Sequence, residues 1–426
     1  MSIGSRPDWI KGIQDRLDYH WRYQGHILGI LPDVSIILND ADPELRQFLA
    51  AQGLDGSYEA ACFQCGTCAA ICPYTLIPND NRGLSARRML HERQLGINTF
   101  EDDDIWLCTT CNNCVEQCPR GVEIIDFMRS LRRIRTELGV GNVPSSLRQA
   151  VKNIAGVGNP FGEPSEVRAN WAETINVKNY TSGMEILYFP GCFPSYDPRS
   201  MKVAQATADI LNKAGVEFGI IGSQEVCCGE SVRKAGNESL FQRLARHNID
   251  LFADSGVKRI ITTSPHCYHT FKNEYPEFGG DFEIVHYTQL LAQLIKEGKL
   301  ELSKKLNKRV TYHDPCYLGR HNGIYNEPRE VLQSIPGLEL VEMPQSFHRS
   351  LCCGGGGGGI WLESKKGERL SDIRIEQAIE TGASILAVSC PYCMANFEDS
   401  RLTVEDGGCI EIKDIAELVC DAIWRN

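Results

Sequence analysis

The residues of this 426-residue chain that could do chemistry are its cysteines, of which there are 19. The number is odd, so they cannot all pair within one chain. None precedes Cys62; eight lie between Cys62 and Cys118, nine between Cys192 and Cys393, and Cys409 and Cys420 stand apart. Met1–Asn39 lacks the layout of a secretory signal. Its longest apolar stretch, Ile27–Leu38, is interrupted by Pro32 and Asp33 and is too short to span a bilayer. The expected setting is the reducing cytoplasm, with membrane association only through partner subunits. There, spaced cysteines read as metal or redox ligands rather than disulfides. A hydrophobic fraction of 42% and a charged fraction of 23% exclude wholesale disorder. A net charge of −11 argues against nucleic acid as a partner.

Two runs share one spacing. Cys62-x-x-Cys65-x-x-Cys68-x-x-x-Cys72-Pro73 and Cys108-x-x-Cys111-x-x-Cys114-x-x-x-Cys118-Pro119 have the pattern of a bacterial ferredoxin. Three thiolates on a tight loop cap one face of a cubane cluster, and in two-cluster ferredoxins the fourth cysteine of each run serves the other cluster. On that pattern Cys62, Cys65, Cys68 and Cys118 hold one [4Fe–4S] cluster, and Cys108, Cys111, Cys114 and Cys72 hold the second. Zinc knuckles do not need four cysteines and a following proline, twice. The arginines Arg87, Arg88, Arg129, Arg132, Arg133 and Arg135 either offset cluster charge or form a solvated helix face. The solvated face is the expectation, as it is for the acidic run Glu101–Asp104.

The remaining groups form an internal repeat. Gly191-Cys192 matches Pro315-Cys316, Cys227-Cys228-Gly229 matches Cys352-Cys353-Gly354, and Ser264-Pro265-His266-Cys267 matches Cys390-Pro391-Tyr392-Cys393. The second copy offers five thiols: Cys316, Cys352, Cys353, Cys390 and Cys393. Side chains of neighbouring residues diverge, so a Cys-Cys pair suits bridging a metal assembly better than chelating one ion. The run Gly354–Gly359 lets backbone approach something closely; it lacks the Gly-Lys-Ser/Thr ending of a phosphate loop. The first copy offers four thiols, Cys192, Cys227, Cys228 and Cys267, with Ser264 at the fifth position. These suit an ordinary cubane or a zinc ion, with Ser264 a weak oxygen ligand. His266 and His269 flank Cys267 as ligands or proton donors, but the expectation is polar residues near a loop. Cys409 and Cys420 fit no motif and are expected to be buried thiols.

The elements that must position these groups follow from the surrounding pattern. Helices are expected over Trp9–Tyr23, Asp42–Ala51, Gly83–Gln94 and Glu123–Leu138, so the first cysteine region is helical with ligand-bearing loops. Gly139–Gly183, rich in Gly and Pro, reads as a linker with a short helix over Pro144–Ile154. Strands are then expected at Ile186–Phe189, Glu217–Ile221 and Arg259–Thr263, alternating with helices over Met201–Ala214 and Leu240–Asp254. The order returns with strands at Val310–His313, Leu338–Glu342 and Ser384–Ser389 and helices over Glu327–Ser334 and Leu370–Glu380. The expected class is α+β: a helical extension (1–57), a helical ferredoxin-like domain (58–140), a linker (141–184) and two α/β cysteine-rich modules (185–307 and 308–426).

These motifs resemble the heterodisulfide reductase family. Cys62 to Arg135, with Ile105-Trp106-Leu107-Cys108-Thr109, is similar to its ferredoxin-like C subunit, and Glu185 onward to its B subunit with two CCG domains; the order is that of the fused D-type subunit. The resemblance implies a noncubane [4Fe–4S] cluster on Cys316, Cys352, Cys353, Cys390 and Cys393, whereas Ser264 breaks the pattern in the first copy. It implies an oxidoreductase subunit that exchanges electrons with a flavoprotein or membrane subunit, since no flavin or nicotinamide fingerprint is present. The alternative it implies is catalysis, reduction of a disulfide at the Cys316–Cys393 site with His321 or His348 supplying protons.

Overall fold

In the computed structural model, Gln47 and residues 49–77, 84–97, 102–139, 141–364 and 367–423 are described. The helix expected over Trp9–Tyr23 lies outside them, as do the start of the one at Asp42, Gly83 and Glu101. The ferredoxin-type part is helical, with short helices at Ser57–Ala61, Thr67–Ala70 and Asn113–Glu116 and longer ones at Ala86–Gln94 and Ile124–Leu138. Phe127, Met128, Leu131 and Ile134 put one face of the last helix into a core shared with Met89, Leu90, Ile105 and Trp106.

Each cysteine-rich module is a parallel sheet with helical crossovers. The first has β1 (Lys178–Asn179), β2 (Ile186–Tyr188), β3 (Phe218–Ile220), β4 (Arg259–Thr262) and β5 (Glu283–His286), in the order β1-β3-β2-β4-β5. The second has β6 (Lys308–Tyr312), β7 (Leu338–Val341), β8 (Ile385–Val388) and β9 (Glu411–Asp414), in the order β7-β6-β8-β9. Setting β1 aside, the two orders are the same, and so is the register logic: Leu187 pairs with Gly219 and Ile260, Thr311 with Val341 and Leu386. Parallel neighbours need long crossovers. Helices such as Pro198–Lys213 provide them, started by Asp197, whose side chain accepts from Ser200 N–H at 2.7 Å ahead of Pro198.

Three features depart from the sequence expectation. The last strand of each module, β5 and β9, is not among the expected strands, because short edge strands carry charge (Glu283, Glu411, Lys413) in place of a β-rich apolar run. The segment 141–184 is packed structure rather than a loose linker: Leu147, Ile154, Arg168 and Trp171 are buried. The modules also share one core, in which Tyr188, Leu211 and Leu291 belong with Tyr312, Val388 and Ile415.

Candidate metal centres

The two ferredoxin-type loops have the same backbone. Gln64 and Thr110, each two residues past the first cysteine of its run, lie at φ 64° and 51°, and Gly66 and Asn112 at 87° and 67°. These left-handed turns wrap each loop around a cavity. One, of about 350 Å3, is lined by Cys62, Cys65, Cys68 and Cys118. The other, of about 490 Å3, is lined by Cys72, Cys108, Cys111 and Cys114, with Cys68 at its edge. The fold thus brings the fourth cysteine of each run to the other run's loop, and each cavity fits a four-thiolate cluster. Cys65 is exposed, whereas Cys111 is buried.

Cys111 is buried because its loop is pressed against the second module. Cys111 and Cys352 belong to one buried cluster with Cys316 and Tyr317, and Cys352 Sγ lies 3.4 Å from Thr109 Oγ1. Thr110 Oγ1 and Tyr317 OH are 2.7 Å apart, and His321 Nε2 donates to Thr110 O at 2.8 Å. Arg320 donates to Cys111 O at 2.6 Å and to Ser350 O at 2.6 Å. The glycine run completes this contact. A Cβ on Gly356 would stand 2.5 Å from Thr109 O, and one on Gly357, at φ 60°, 2.4 Å from Cys108 O. What the run approaches closely is therefore the backbone of the ferredoxin-type loop.

Arg132 pins the same junction. Its guanidinium, fully buried, donates to Ile105 O, Cys108 O, Lys234 O and Gly357 O at 2.6–3.1 Å. Arg135, 1% exposed, pairs with Asp103, and Arg88 with Asp102. The solvated-face expectation fails for Arg132 and Arg135: tertiary contacts, absent from a helical-wheel argument, supply their partners.

In the second module all five thiols are buried. Cys353 and Cys393 Sγ atoms are 3.2 Å apart, and a His313 ring nitrogen lies within 4.8 Å of both. Arg374 Nε–H donates to His313 Nδ1 at 3.2 Å while Nε2 has no partner. Burial holds this imidazole well below its ordinary pKa, so the proton of the neutral ring sits on Nε2. Five converging thiols with an orphaned N–H beside them fit an anionic, sulfur-ligated metal assembly. Gly354 lies at φ 90° and its N–H turns back to Cys352 Sγ at 3.3 Å. Gly229 does the same for Cys227 at φ 89° and 3.4 Å.

In the first module Cys192, Cys227, Cys228 and Cys267 line a recess of about 400 Å3, with Ser264, His266, Trp361 and Tyr392. Ser264 Oγ caps its own helix, accepting from Cys267 N–H at 3.4 Å. Arg168, from the segment expected to be a linker, donates to Cys192 Sγ at 3.7 Å and to Glu225 at 3.2 Å. His266 is core, not loop. Its ring is sandwiched between those of Tyr317 at 4.2 Å and Tyr392 at 4.4 Å, and Glu230 Oε1 lies 3.2 Å from Nδ1. Burial would strip its proton; the Glu230 carboxylate and Cys390 outweigh burial and hold it at about 10.

Residues 60–122 match the family 4Fe-4S dicluster domain, and residues 186–272 and 310–398 each match the cysteine-rich domain, CCG. The D-type subunit of the dihydromethanophenazine:CoB–CoM heterodisulfide reductase of Methanosarcina barkeri is 32% identical over 391 residues, 85% of this chain and 93% of that protein. This chain belongs to the family of heterodisulfide reductase D-type subunits. As a family member it is also 41% identical over 331 residues to the probable iron-sulfur-binding oxidoreductase FadF of Bacillus subtilis, covering 76% of this chain and 47% of that protein. It is 36% identical over 346 residues to the EtfAB:quinone oxidoreductase of Syntrophomonas wolfei, covering 78% and 48%. It spans about half the length of these two curated relatives. It is thus an iron–sulfur oxidoreductase-type subunit. Among the described residues no helix is long and apolar enough to cross a membrane.

Several residues of this family member carry roles that their sequence context did not signal. His321 donates to the Thr110 carbonyl, and His348 is exposed. The histidine whose ring nitrogen lies beside the second module's thiols, within 4.8 Å of Cys353 and Cys393 Sγ, is His313. His313 follows β6 directly, three residues before Cys316, a position the strand pattern marks only as buried. Arg132, Arg168, Arg320 and Glu230 carry no motif. Cys420 is buried as expected, but Cys409 is exposed, at the end of a surface turn before β9.

Proposed function

We propose that this chain is the electron-transfer subunit of a heterodisulfide reductase-like complex, passing electrons between a partner flavoprotein or membrane subunit and its cysteine-rich modules. The observation that carries the reading is the junction where Cys111 and Cys352 share one buried cluster and Cys352 Sγ meets Thr109 Oγ1, so that a ferredoxin-type loop and a cysteine-rich loop meet inside the protein. Cys62, Cys65, Cys68 and Cys118 would hold one cubane, at the exposed end. Cys108, Cys111, Cys114 and Cys72 would hold the second, at the junction, and Cys316, Cys352, Cys353, Cys390 and Cys393 a noncubane cluster beyond it. For the first module we favour a four-thiolate [4Fe–4S] cluster over zinc, because Cys192, Cys227, Cys228 and Cys267 line one recess as four cysteines line each ferredoxin-type cavity. Bound clusters of this kind supply one-electron transfer.

The protein's own residues insulate and align this route. Arg132 and Arg320 fix the backbone of the Cys108–Cys111 loop, and Tyr317 and Thr110 seal it from water. The Syntrophomonas relative is an EtfAB:quinone oxidoreductase, which makes a reduced electron-transferring flavoprotein the donor to try. Anaerobically purified chain should contain about sixteen iron atoms without stoichiometric zinc, bleach on mixing with that donor, and show no disulfide turnover alone. Turnover of a disulfide by the fully loaded, isolated chain with an artificial donor would move catalysis to the Cys316–Cys393 site. About twelve iron atoms with one zinc would overturn the first-module assignment.

A further inference from the structure

The two modules carry their cysteines on equivalent loops but surround them differently. Two residues before the Cys-Cys pair the first module has Glu225 and the second Ser350; at the fifth thiol position the first has Ser264 and the second Cys390. The first module also receives a side chain from outside the repeat. Arg168 lies on the short helix Ser165–Ala172, in the segment that precedes β2. The second module has no room for a counterpart, since only residues 297–307 separate the helix Tyr287–Lys296 from β6. Arg168 is 1% exposed. Its Nε donates to Glu225 Oε2 at 3.2 Å, its Nη1 donates to Cys192 Sγ at 3.7 Å, and its Nη2 is buried without a hydrogen-bond partner. The rings of Phe189 and Tyr196 flank it at 5.5 and 5.9 Å. Glu225 is fixed in turn, its Oε1 accepting from Ile221 and Gly222 N–H at 3.3 and 3.4 Å. The carboxylate thus holds the guanidinium against Cys192. In the second module Arg320, four residues after Cys316, donates instead to the backbone carbonyls of Cys111, His348 and Ser350. A buried guanidinium that touches a ligand sulfur and keeps an N–H to spare suits an anionic, sulfur-ligated centre.

We propose that Arg168 is a positioning residue of the first module's metal centre, donating Nη1–H to the Cys192 thiolate with Glu225 orienting the guanidinium, and that it raises the reduction potential of that centre. The inference rests on the reading of the first module as a four-thiolate [4Fe–4S] site. A donor to a ligand sulfur withdraws electron density from it and favours the reduced, more negative state. The first module thus lacks the fifth thiolate and has a guanidinium on one of its four, and both differences favour accepting an electron.

The test is a redox titration of the full, iron-loaded chain, followed by EPR, in which the first-module signal is the one that Cys227→Ala alters. Arg168→Met fills the space but removes the donor. It should lower the reduced-to-oxidised ratio of that signal about tenfold at a fixed applied potential, about 59 mV for one electron. The ferredoxin-type and second-module signals should not move. Arg168→Lys, which keeps the charge and an N–H donor, should recover part of the shift; a purely structural role would change stability and leave the potential in place. An unchanged first-module potential in Arg168→Met with full iron content overturns the proposal. If that variant loses first-module iron because Glu225 is left buried and unpaired, the double variant Arg168→Met with Glu225→Gln carries the decision, and either no shift or an empty first module there overturns it. Metal analysis of the parent separates the two readings. About twelve iron atoms with one zinc remove the cluster itself, whereas about sixteen iron atoms with no shift in Arg168→Met sink only the present inference.

Discussion

At the scale of the residue, one side chain holds three parts of the chain together. Arg132 sits on the ferredoxin-type helix and donates to carbonyls of its own domain, of Lys234 in the first module and of Gly357 in the second. A guanidinium can do this because its five N–H donors spread in a plane; an ammonium has three on one atom. Arg132→Lys keeps the charge and abandons carbonyls that remain buried. Each buried acceptor left unsatisfied costs about 1–3 kcal/mol. The expected loss is about 2–4 kcal/mol in denaturant unfolding of the iron-loaded chain. A variant as stable as the parent would show that water replaces the guanidinium there. In the sequence Arg132 was one of six arginines near the clusters, and its helix alone gave no reason to bury it.

At the scale of the element, the glycine run is a docking edge. Gly357→Ala would place a methyl 2.4 Å from Cys108 O at φ 60°. The left-handed backbone costs about 1–2 kcal/mol and the clash adds about 1–3. The loop should withdraw from Cys108–Thr109 and slow re-reduction of the second module after rapid mixing with reductant, while the ferredoxin-type clusters still bleach at the parent rate. Gly408→Ala is the control: it is exposed with nothing within 4 Å, and should lie within about 0.5 kcal/mol of the parent. Equal rates in the two variants would deny the run any role in docking. The close approach itself was legible in the sequence, since six consecutive residues without Cβ have few other uses. What is approached was not, because Cys108 lies about 250 residues away in the chain.

At the scale of the whole molecule, the two modules behave as one folded body. Tyr287 of the first donates to Asp414 of the second at 2.6 Å, and Arg199 pairs with Glu398 and Glu417 across the same boundary. Asp414 also caps the final helix, accepting from Ala416 N–H. Burial raises its pKa to about 7 against an ordinary 3.8, more than the Tyr287 hydroxyl and the Ala416 amide lower it. The native state therefore holds a proton that the unfolded chain has already released. Stability from this group is complete below pH 3.8 and is lost as pH rises through about 7. Between pH 6 and 8 the loss is on the order of 1 kcal/mol. Asp414→Asn keeps a good cap and removes the titration, so its melting temperature should gain on the parent as pH rises over that range. Parallel pH profiles would sink this reading.

Cysteine type and spacing, by themselves, determined the family, the two ferredoxin-type ligand runs and the repeat of the cysteine-rich module. Metal ligation is local chemistry: three thiols must share a tight loop, and that requirement is written in consecutive residues. Strand and helix alternation was likewise readable, because buried parallel strands such as Ile385–Val388 are apolar throughout. The tertiary structure alone decided which loop meets which. It set Thr109 against Cys352, Gly357 against Cys108, Arg168 against Cys192 and His266 against Tyr392. Each pair joins residues distant in the chain, held by hydrogen bonds and close packing that leave no periodic trace. Polar groups buried in this way look, in one dimension, the same as a solvated surface.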